Sequence, residues 1–384
     1  MAINTDCRYF NGSKPCEFNK KQGQKCLSCH FYSPVKERIL IIKLDSIGDV
    51  LRTTTITPKI KQEYPDAYVV WITREEALDL VKANPDVDEV WPYDCETLNV
   101  LQVVTWDYVF SCSNDLPSAA LASLAKARRE KIGFLLSEDG VLLPTNEMAR
   151  LWLEMAAFDS LKKANQLSFQ DILYGICGFS GPIHHPRLSL PSPLKAWASS
   201  VARAWCDQAG LVIGVNTGAG NRWRKKMPGV EQMISIILDI LDTFPQSRVV
   251  LLGGPQELEK NRQIKEALDS PRLHDAGCGH SLLQFAGLIS QCQVLLCGDT
   301  LSLHIASALE SPTVALFGPT SMTEIYSYNG LITKLSANSL DCLCCYNNCD
   351  KSDDCMTAIP NKEIMEHLAR QLQRRYVTQV TSTA

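Results

Sequence analysis

The sequence predicts an α/β protein made of two similar halves, each a parallel sheet wrapped by helices. Three observations carry this. Short runs dense in aliphatic and β-branched residues recur between amphipathic stretches, the pattern in which buried parallel strands alternate with helices. That rhythm breaks in a polar, proline-containing passage at residues 182–193 and then begins again, as it would across a linker between domains. Residues 297–320, CGDTLSLHIASALESPTVALFGPT, hold a strand end, a polar turn, a helix and a second strand, a ligand-binding layout at the carboxyl end of a sheet.

In chain order, residues 1–37 form a cysteine-rich segment, locally basic through Arg8, Lys14, Lys20, Lys21, Lys25 and Lys36. The first domain spans residues 38–190. RILIIKL (38–44) reads as a buried strand, and DSIGDVLRTTTITPKIKQEYP as a turn and a helix carrying Val50, Leu51, Ile56 and Ile60. AYVVWIT (67–73) is the next strand, EEALDLVKANP a helix, DEVWPYD a short strand and WDYVFSC (106–112) another. The second domain spans 191–335, where LVIGVNTGAG, SRVVLLGG, QVLLCGD and TVALF (313–317) repeat the pattern. Residues 336–384 hold a second cysteine cluster, a helical pattern at 361–376 and a Ser/Thr-rich tail that frays.

Composition narrows the function classes. With 384 residues, 45% hydrophobic and 21% charged, the chain can bury substantial cores, and a net charge of −4 gives no global reason to bind nucleic acid. No apolar run approaches the ~18 residues of a membrane span and the start lacks the apolar core of a signal peptide, so a cytoplasmic protein is expected. Sixteen cysteines are unusual there. Disulfides are disfavoured in that compartment, so the terminal clusters suggest metal, while Cys95, Cys112, Cys177, Cys206, Cys278, Cys292 and Cys297 read as small core hydrophobes. Cys7, Cys16, Cys26 and Cys29 supply one set of four thiolates, and Cys342, Cys345, Cys349 and Cys355 another, with Cys344 spare. Such sets suit zinc or an iron-sulfur cluster, and the spacing alone does not choose between them. A reduced, metal-free set is the alternative.

Candidate binding residues cluster at strand ends. Asp299, Thr300 and Ser302 fall where helix N-caps are favoured, leaving outward N–H groups that suit a phosphate. VNTGAGNRWRKKMP joins a turn containing Thr217, Gly218 and Gly220 to the basic residues Arg222, Arg224, Lys225 and Lys226, which fits either a diphosphate or a solvated basic loop. It matches neither G-x-G-x-x-G nor G-x-x-x-x-G-K-[ST], which weighs against dinucleotide oxidoreductases and P-loop kinases. Glu257 could accept from a ribose or merely open a helix, and His304 could bond a ligand or bridge structure. Asp45 and Asp49 follow the first strand, where acids commonly cap the next helix, although Asp49 could instead face across a cleft. Asp86 and Asp88 form a DVD pair of the kind that binds metal in other sugar transferases, with solvated turn residues the favoured reading.

Taken together, IIKLDSIGDVLRTT, NTGAGNRWRKKMP, LLGGPQE, GDTLSLHIASALESPTVALFGPT and CLCCYNNCDKSDDCM make the chain resemble glycosyltransferase family 9, the ADP-heptose:lipopolysaccharide heptosyltransferases and relatives, over roughly residues 38–359. The resemblance implies a GT-B fold, two Rossmann-like domains facing a cleft, with acceptor on the first and nucleotide-sugar on the second. It implies Asp49 as general base and Thr217, Gly218, Lys225, Glu257, Asp299, Thr300 and His304 as the nucleotide-sugar site, with Lys226 a register-shifted rival to Lys225. Leu301 stands where several heptosyltransferases have glycine, and Met227 where many have tryptophan.

The function so implied is inverting transfer of a sugar, a heptose from ADP-heptose favoured, onto a lipopolysaccharide-type or other cell-envelope glycan. No cofactor is needed for transfer, the cysteine-bound metal is structural, and the enzyme works in the cytoplasm with peripheral contact to the inner membrane. The last helix of such a chain is expected to return to the first domain, bringing both cysteine clusters to one side. The alternatives are a metal-binding scaffold or redox-responsive protein on an inactive fold, and a nucleotide-sugar epimerase, which would want further acid/base residues.

Overall fold

Ile39, Leu40, Ile41 and Ile42 are wholly excluded from solvent, which makes β1 (Arg38–Ile42) the axis of the first sheet. A strand buried on both faces needs strands beside it and helices over it. β2 (Tyr68–Thr73), β3 (Glu89–Pro92), β4 (Thr105–Ser111), β5 (Lys126–Leu136) and β6 (Leu142–Pro144) complete the order β3-β2-β1-β4-β5-β6, antiparallel only at β6. The second sheet comprises β7 (Leu211–Asn216), β8 (Ser247–Leu252), β9 (Leu273–Asp275), β10 (Val294–Gly298), β11 (Thr313–Phe317) and β12 (Ile332–Ser336). Its order is β12-β11-β10-β7-β8-β9, parallel throughout. This computed structural model describes every residue except 1–2, 11, 13, 207–209, 221–222, 348, 350, 352–353 and 383–384, and every side chain among them except those of 224 and 375–382.

Strand order reverses between β1 and β4 and again between β7 and β10, so a crevice opens beyond the carboxyl ends at each point. Asp45 and Asp49 follow β1, Thr217 and Gly218 follow β7, and Asp299 and Thr300 follow β10. The two crevices meet. Helix Ile47–Thr53 packs on helix Leu301–Ala308, and Leu51 and Leu80 of the first half lie within an apolar cluster of the second.

The linker is tied to the first half. Thr55 Oγ1 donates to the His184 carbonyl, Thr54 Oγ1 accepts from Arg187 N at 2.8 Å, and Ser189 N donates to the Ala83 carbonyl at 2.8 Å. Asp86 takes part in this, pairing with Arg187 at 3.1 Å, while Asp88 pairs with Arg8 (2.8 Å) and Lys61 (2.7 Å). The DVD pair is therefore not a set of solvated turn residues: both carboxylates are partly buried, and each is held by cations that fasten flanking segments to the domain.

Two expectations need correction. The helix Asn361–Ser382 does not return to the first domain among its described side chains. Ile364, Met365, Leu368 and Leu372 join the apolar cluster beneath the second sheet, because that face still needs a cover and the helix presents a matching stripe. The cysteine clusters accordingly pack on different halves, the first against β2 and β3 through Arg8, the second against the end of β11.

Candidate functional site

Asp49 sits in the first turn of helix Ile47–Thr53, one residue after Gly48. Its two carboxylate oxygens are held separately: Ser46 Oγ donates to Oδ2 at 2.7 Å, and Arg52 Nη2 pairs with Oδ1 at 2.6 Å. The Arg52 guanidinium lies 3.7 Å above the centre of the Phe169 ring. Lys43 also faces that ring, at 5.5 Å, while pairing with Asp45 at 2.5 Å. Burial acts to raise the Asp49 carboxyl, but Arg52, Lys43, the Ser46 hydroxyl and His304 outweigh it and hold the group well below the usual carboxylate range. Asp45 differs in being turned toward Lys43 and the Ser113 hydroxyl, away from this pair.

His304 faces Asp49 from the other half. A Cβ on Gly48 would lie 2.7 Å from the imidazole Cδ2, so only glycine lets the two helices close to this distance. Burial pushes the imidazole down to about 4, helped by Arg52, so it is neutral at physiological pH. Asp299 lies beside it, paired with Lys226 at 2.8 Å, and Lys226 Nζ also donates to the Asp299 carbonyl at 2.7 Å. Burial opposes ionisation of Asp299, and Lys226 and His304 prevail to keep its carboxyl low. Thr300 is the N-cap of helix Leu301–Ala308, its hydroxyl 2.7 Å from that of Ser302.

Around β7 the sequence-picked residues divide. Thr217 is fully buried, with Oγ1 donating to Asn261 Oδ1 at 2.5 Å, so its side chain does not face the crevice: a buried hydroxyl takes the nearest acceptor, and this one lies inside. Gly218 lies directly under Glu257, where a Cβ would meet Glu257 Cδ at 2.0 Å, so only glycine admits that side chain. Glu257 keeps both of its readings: Oε2 accepts from Gly254 N at 2.9 Å at a helix start, while the carboxylate leans across Gly218. Lys225 turns away from Asp299 and pairs with Asp354, leaving Lys226 as the lysine at the helix terminus. Arg222 and the Arg224 side chain lie outside the described residues.

The cysteines do not assemble as expected. Among the described residues, no three His, Cys, Asp or Glu side chains come together in a way that could hold a metal ion. Near the start of the chain the space is taken by stacked rings, Phe18 on Phe31 at 4.0 Å with Tyr9 edge-on to Phe18 at 4.8 Å, while Cys16 caps helix Glu17–Gln22. Cys7, Cys26 and Cys29 are partly exposed. In the second cluster the backbone governs. Cys344 N donates to the Gly318 carbonyl at 3.1 Å and Tyr346 N to that of Pro319 at 2.8 Å, laying the loop along the end of β11. Burial first, and then the nearby Asp354, Cys345 and Cys342, push the Cys355 thiol up to about 11, while Cys349 and Cys355 both face Lys225. Among the described residues these side chains do not form a four-thiolate site. The loop instead forms a wall: the Tyr346 ring lies 3.8 Å beneath Lys162 of the first half, and its hydroxyl donates to Glu324 at 2.7 Å.

Arg52, Phe169 and Tyr346 escaped the sequence reading. The Arg52 pair had a signal, an acid three residues before a base on a helix, whereas nothing local links Phe169 to Asp49.

Two Rossmann-like domains that meet over the loops at their strands' carboxyl ends define the GT-B fold. The sequence profile of glycosyltransferase family 9 (heptosyltransferase) matches residues 237–355. Lipopolysaccharide heptosyltransferase 2 of Salmonella typhimurium is 35% identical over 310 residues, which cover 74% of this chain and 83% of that protein. The chain belongs to glycosyltransferase family 9. Among solved structures, E. coli ADP-heptose lps heptosyltransferase II superposes with a TM-score of 0.66 at 18% identity, covering 88% of this chain and 99% of that one. TibC, a dodecameric iron-containing heptosyltransferase in complex with ADP-D-beta-D-heptose, gives 0.51 at 11% identity over 94% of this chain and 83% of its own.

Proposed function

We propose that the enzyme transfers a heptose from ADP-heptose onto a lipopolysaccharide-type acceptor with inversion at the anomeric carbon. The observation that carries this reading is the approach of Asp49, on the first half, to the Asp299–Thr300–His304 helix terminus of the second, across a contact that only Gly48 permits. A base and an anion-binding terminus then flank one site.

The acceptor hydroxyl attacks the anomeric carbon, its proton passes to Asp49, and the bond to the diphosphate breaks on the opposite face with its electron pair leaving on ADP. Ionised Asp49 accepts the proton as C–O bond formation makes the hydroxyl acidic. Charge on the departing diphosphate is met by the N–H groups of helix Leu301–Ala308 and by Lys226, with Lys225 available if it leaves Asp354. Glu257 would hold the ribose. The domains are proposed to run 38–190 for acceptor and 191–335 for donor. Lipopolysaccharide heptosyltransferases 2 and 3 of E. coli are relatives, which supports work on a glycolipid at the cytoplasmic face of the inner membrane. Among the described residues no helix is long and apolar enough to cross a membrane.

Incubation with ADP-heptose and heptose-deficient lipopolysaccharide, with the product anomer assigned by NMR, tests the reading. A retained configuration, or ADP release with no sugar on the lipid, would sink it. Because fixed protein charge already faces the diphosphate, ADP is expected to bind equally well with EDTA and with magnesium in calorimetry. Binding that needs magnesium would mean that Lys226 and the helix terminus do not serve the phosphates.

A further inference from the structure

Asp49 poses a problem of its own. Its helix is pressed between two halves of the molecule, and a carboxyl in such a place tends to take up a proton and cease to be a base. The side chain that counters this is Arg52, one turn along the same helix, with Nη2 2.6 Å from Oδ1. Arg52 is itself immobilised. Its guanidinium carbon lies 3.7 Å from the centre of the Phe169 ring, over its face, and its Nε is buried with no hydrogen-bond partner among the described residues. A guanidinium stacked on a ring face is held flat and presents its fork edge-on, which a lysine cannot reproduce.

The charges around this pair make Arg52 the decisive one. On its own helix Asp49 meets Arg52 and the Ser46 hydroxyl; from β1 it meets Lys43, which is already committed to Asp45 at 2.5 Å and to the Cys112 carbonyl at 2.7 Å. From the second half it meets His304, neutral at physiological pH, and beyond that Asp299, which Lys226 balances. Glu324 and Asp299 both face Arg52 and reinforce its charge.

We propose that Arg52 is a positioning residue for the transfer reaction: stacked on Phe169, it keeps the Asp49 carboxylate ionised and fixed in orientation, with Ser46 on the other oxygen, so that Asp49 presents its remaining lone pairs to the acceptor hydroxyl. The inference rests on Asp49 being the base, and the test separates the two.

Protein labelled with 13C-aspartate is titrated by NMR, with the Asp49 carboxyl signal assigned by its loss in Asp49→Asn. In the wild type Asp49 is expected to stay ionised as far down in pH as the protein remains folded. In Arg52→Gln its midpoint should rise by about two units, the size expected when an adjacent opposite charge is removed. Arg52→Lys, with charge but no flat fork, should fall between the two, and carries the test if Arg52→Gln does not fold. A lower melting temperature with an unmoved Asp49 midpoint would reduce Arg52 to a structural role and overturn the proposal.

With ADP-heptose and heptose-deficient lipopolysaccharide, the acid limb of kcat/KM should rise in step with the NMR midpoint, kcat falling more than KM changes. An NMR shift without a kinetic one would overturn the role of Arg52 in transfer. If Asp49→Asn turns over normally, it is the base assignment that fails.

Discussion

Asp49→Asn is expected to cut turnover by about two orders of magnitude or more while leaving ADP affinity and the melting temperature close to wild type. The amide keeps the size of the side chain and can still meet the Ser46 hydroxyl, but it cannot accept a proton and it leaves Arg52 without its counter-charge. Some loss of stability follows from that last effect, moderated because the Asp49 side chain is 32% exposed and water can reach the pair. Steady-state ADP release and a thermal melt on the same preparation decide the matter. Near-normal turnover would move the base to another group, with Asp45 the next carboxylate along the loop.

Lys226→Ala is expected to destabilise the second half by roughly 3 kcal/mol and to weaken ADP binding at least tenfold, because it removes the partner of a carboxylate that lies deep beside the helix terminus. The comparison variant is Lys225→Ala. Its lysine pairs with Asp354 on the cysteine-rich loop, so it should loosen that loop and affect ADP less. Calorimetry and melts on the two variants separate the registers. A larger ADP defect in Lys225→Ala would mean that the donor draws Lys225 away from Asp354 on arrival.

Much of this was legible in the sequence because it depends on local patterning. TVALF is β11 and RILII is β1, since buried parallel strands are continuous apolar runs that announce themselves. The segment between β4 and the linker was not legible. β5 carries Lys126, Arg128, Arg129, Glu130 and Lys131 with most of these side chains in solvent, so its apolar signal is diluted, and the helices Glu147–Ala157, Asp159–Ala164 and Phe169–Cys177 follow it with only partial burial before the last. At the site, strand-end loops carried Asp49, Glu257, Asp299 and His304 to the crevices. Orientation was another matter. The inward turn of Thr217, the exchange between Lys225 and Lys226, and the seat of Arg52 on Phe169 all arise from contacts between segments distant in sequence, which no local pattern encodes.

The helix Asn361–Ser382, by staying with the second sheet, alters the topology of the joint. Among the described residues the chain passes from one half to the other once, and the passage is held by both: Thr54 and Ala83 of the first half hold Arg187 and Ser189, while the His185 ring lies 3.2 Å from the Ser307 carbonyl and stacks on Tyr328 at 4.4 Å in the second. A single covalent thread, rather than a pair, joins the halves, and it is fastened to each of them, which limits how they twist. Each half is in consequence a contiguous stretch of sequence with its own sheet and core, so fragments 1–190 and 191–384, expressed together as separate polypeptides, should reassociate through the Leu51 and Leu80 contact and recover ADP-dependent activity.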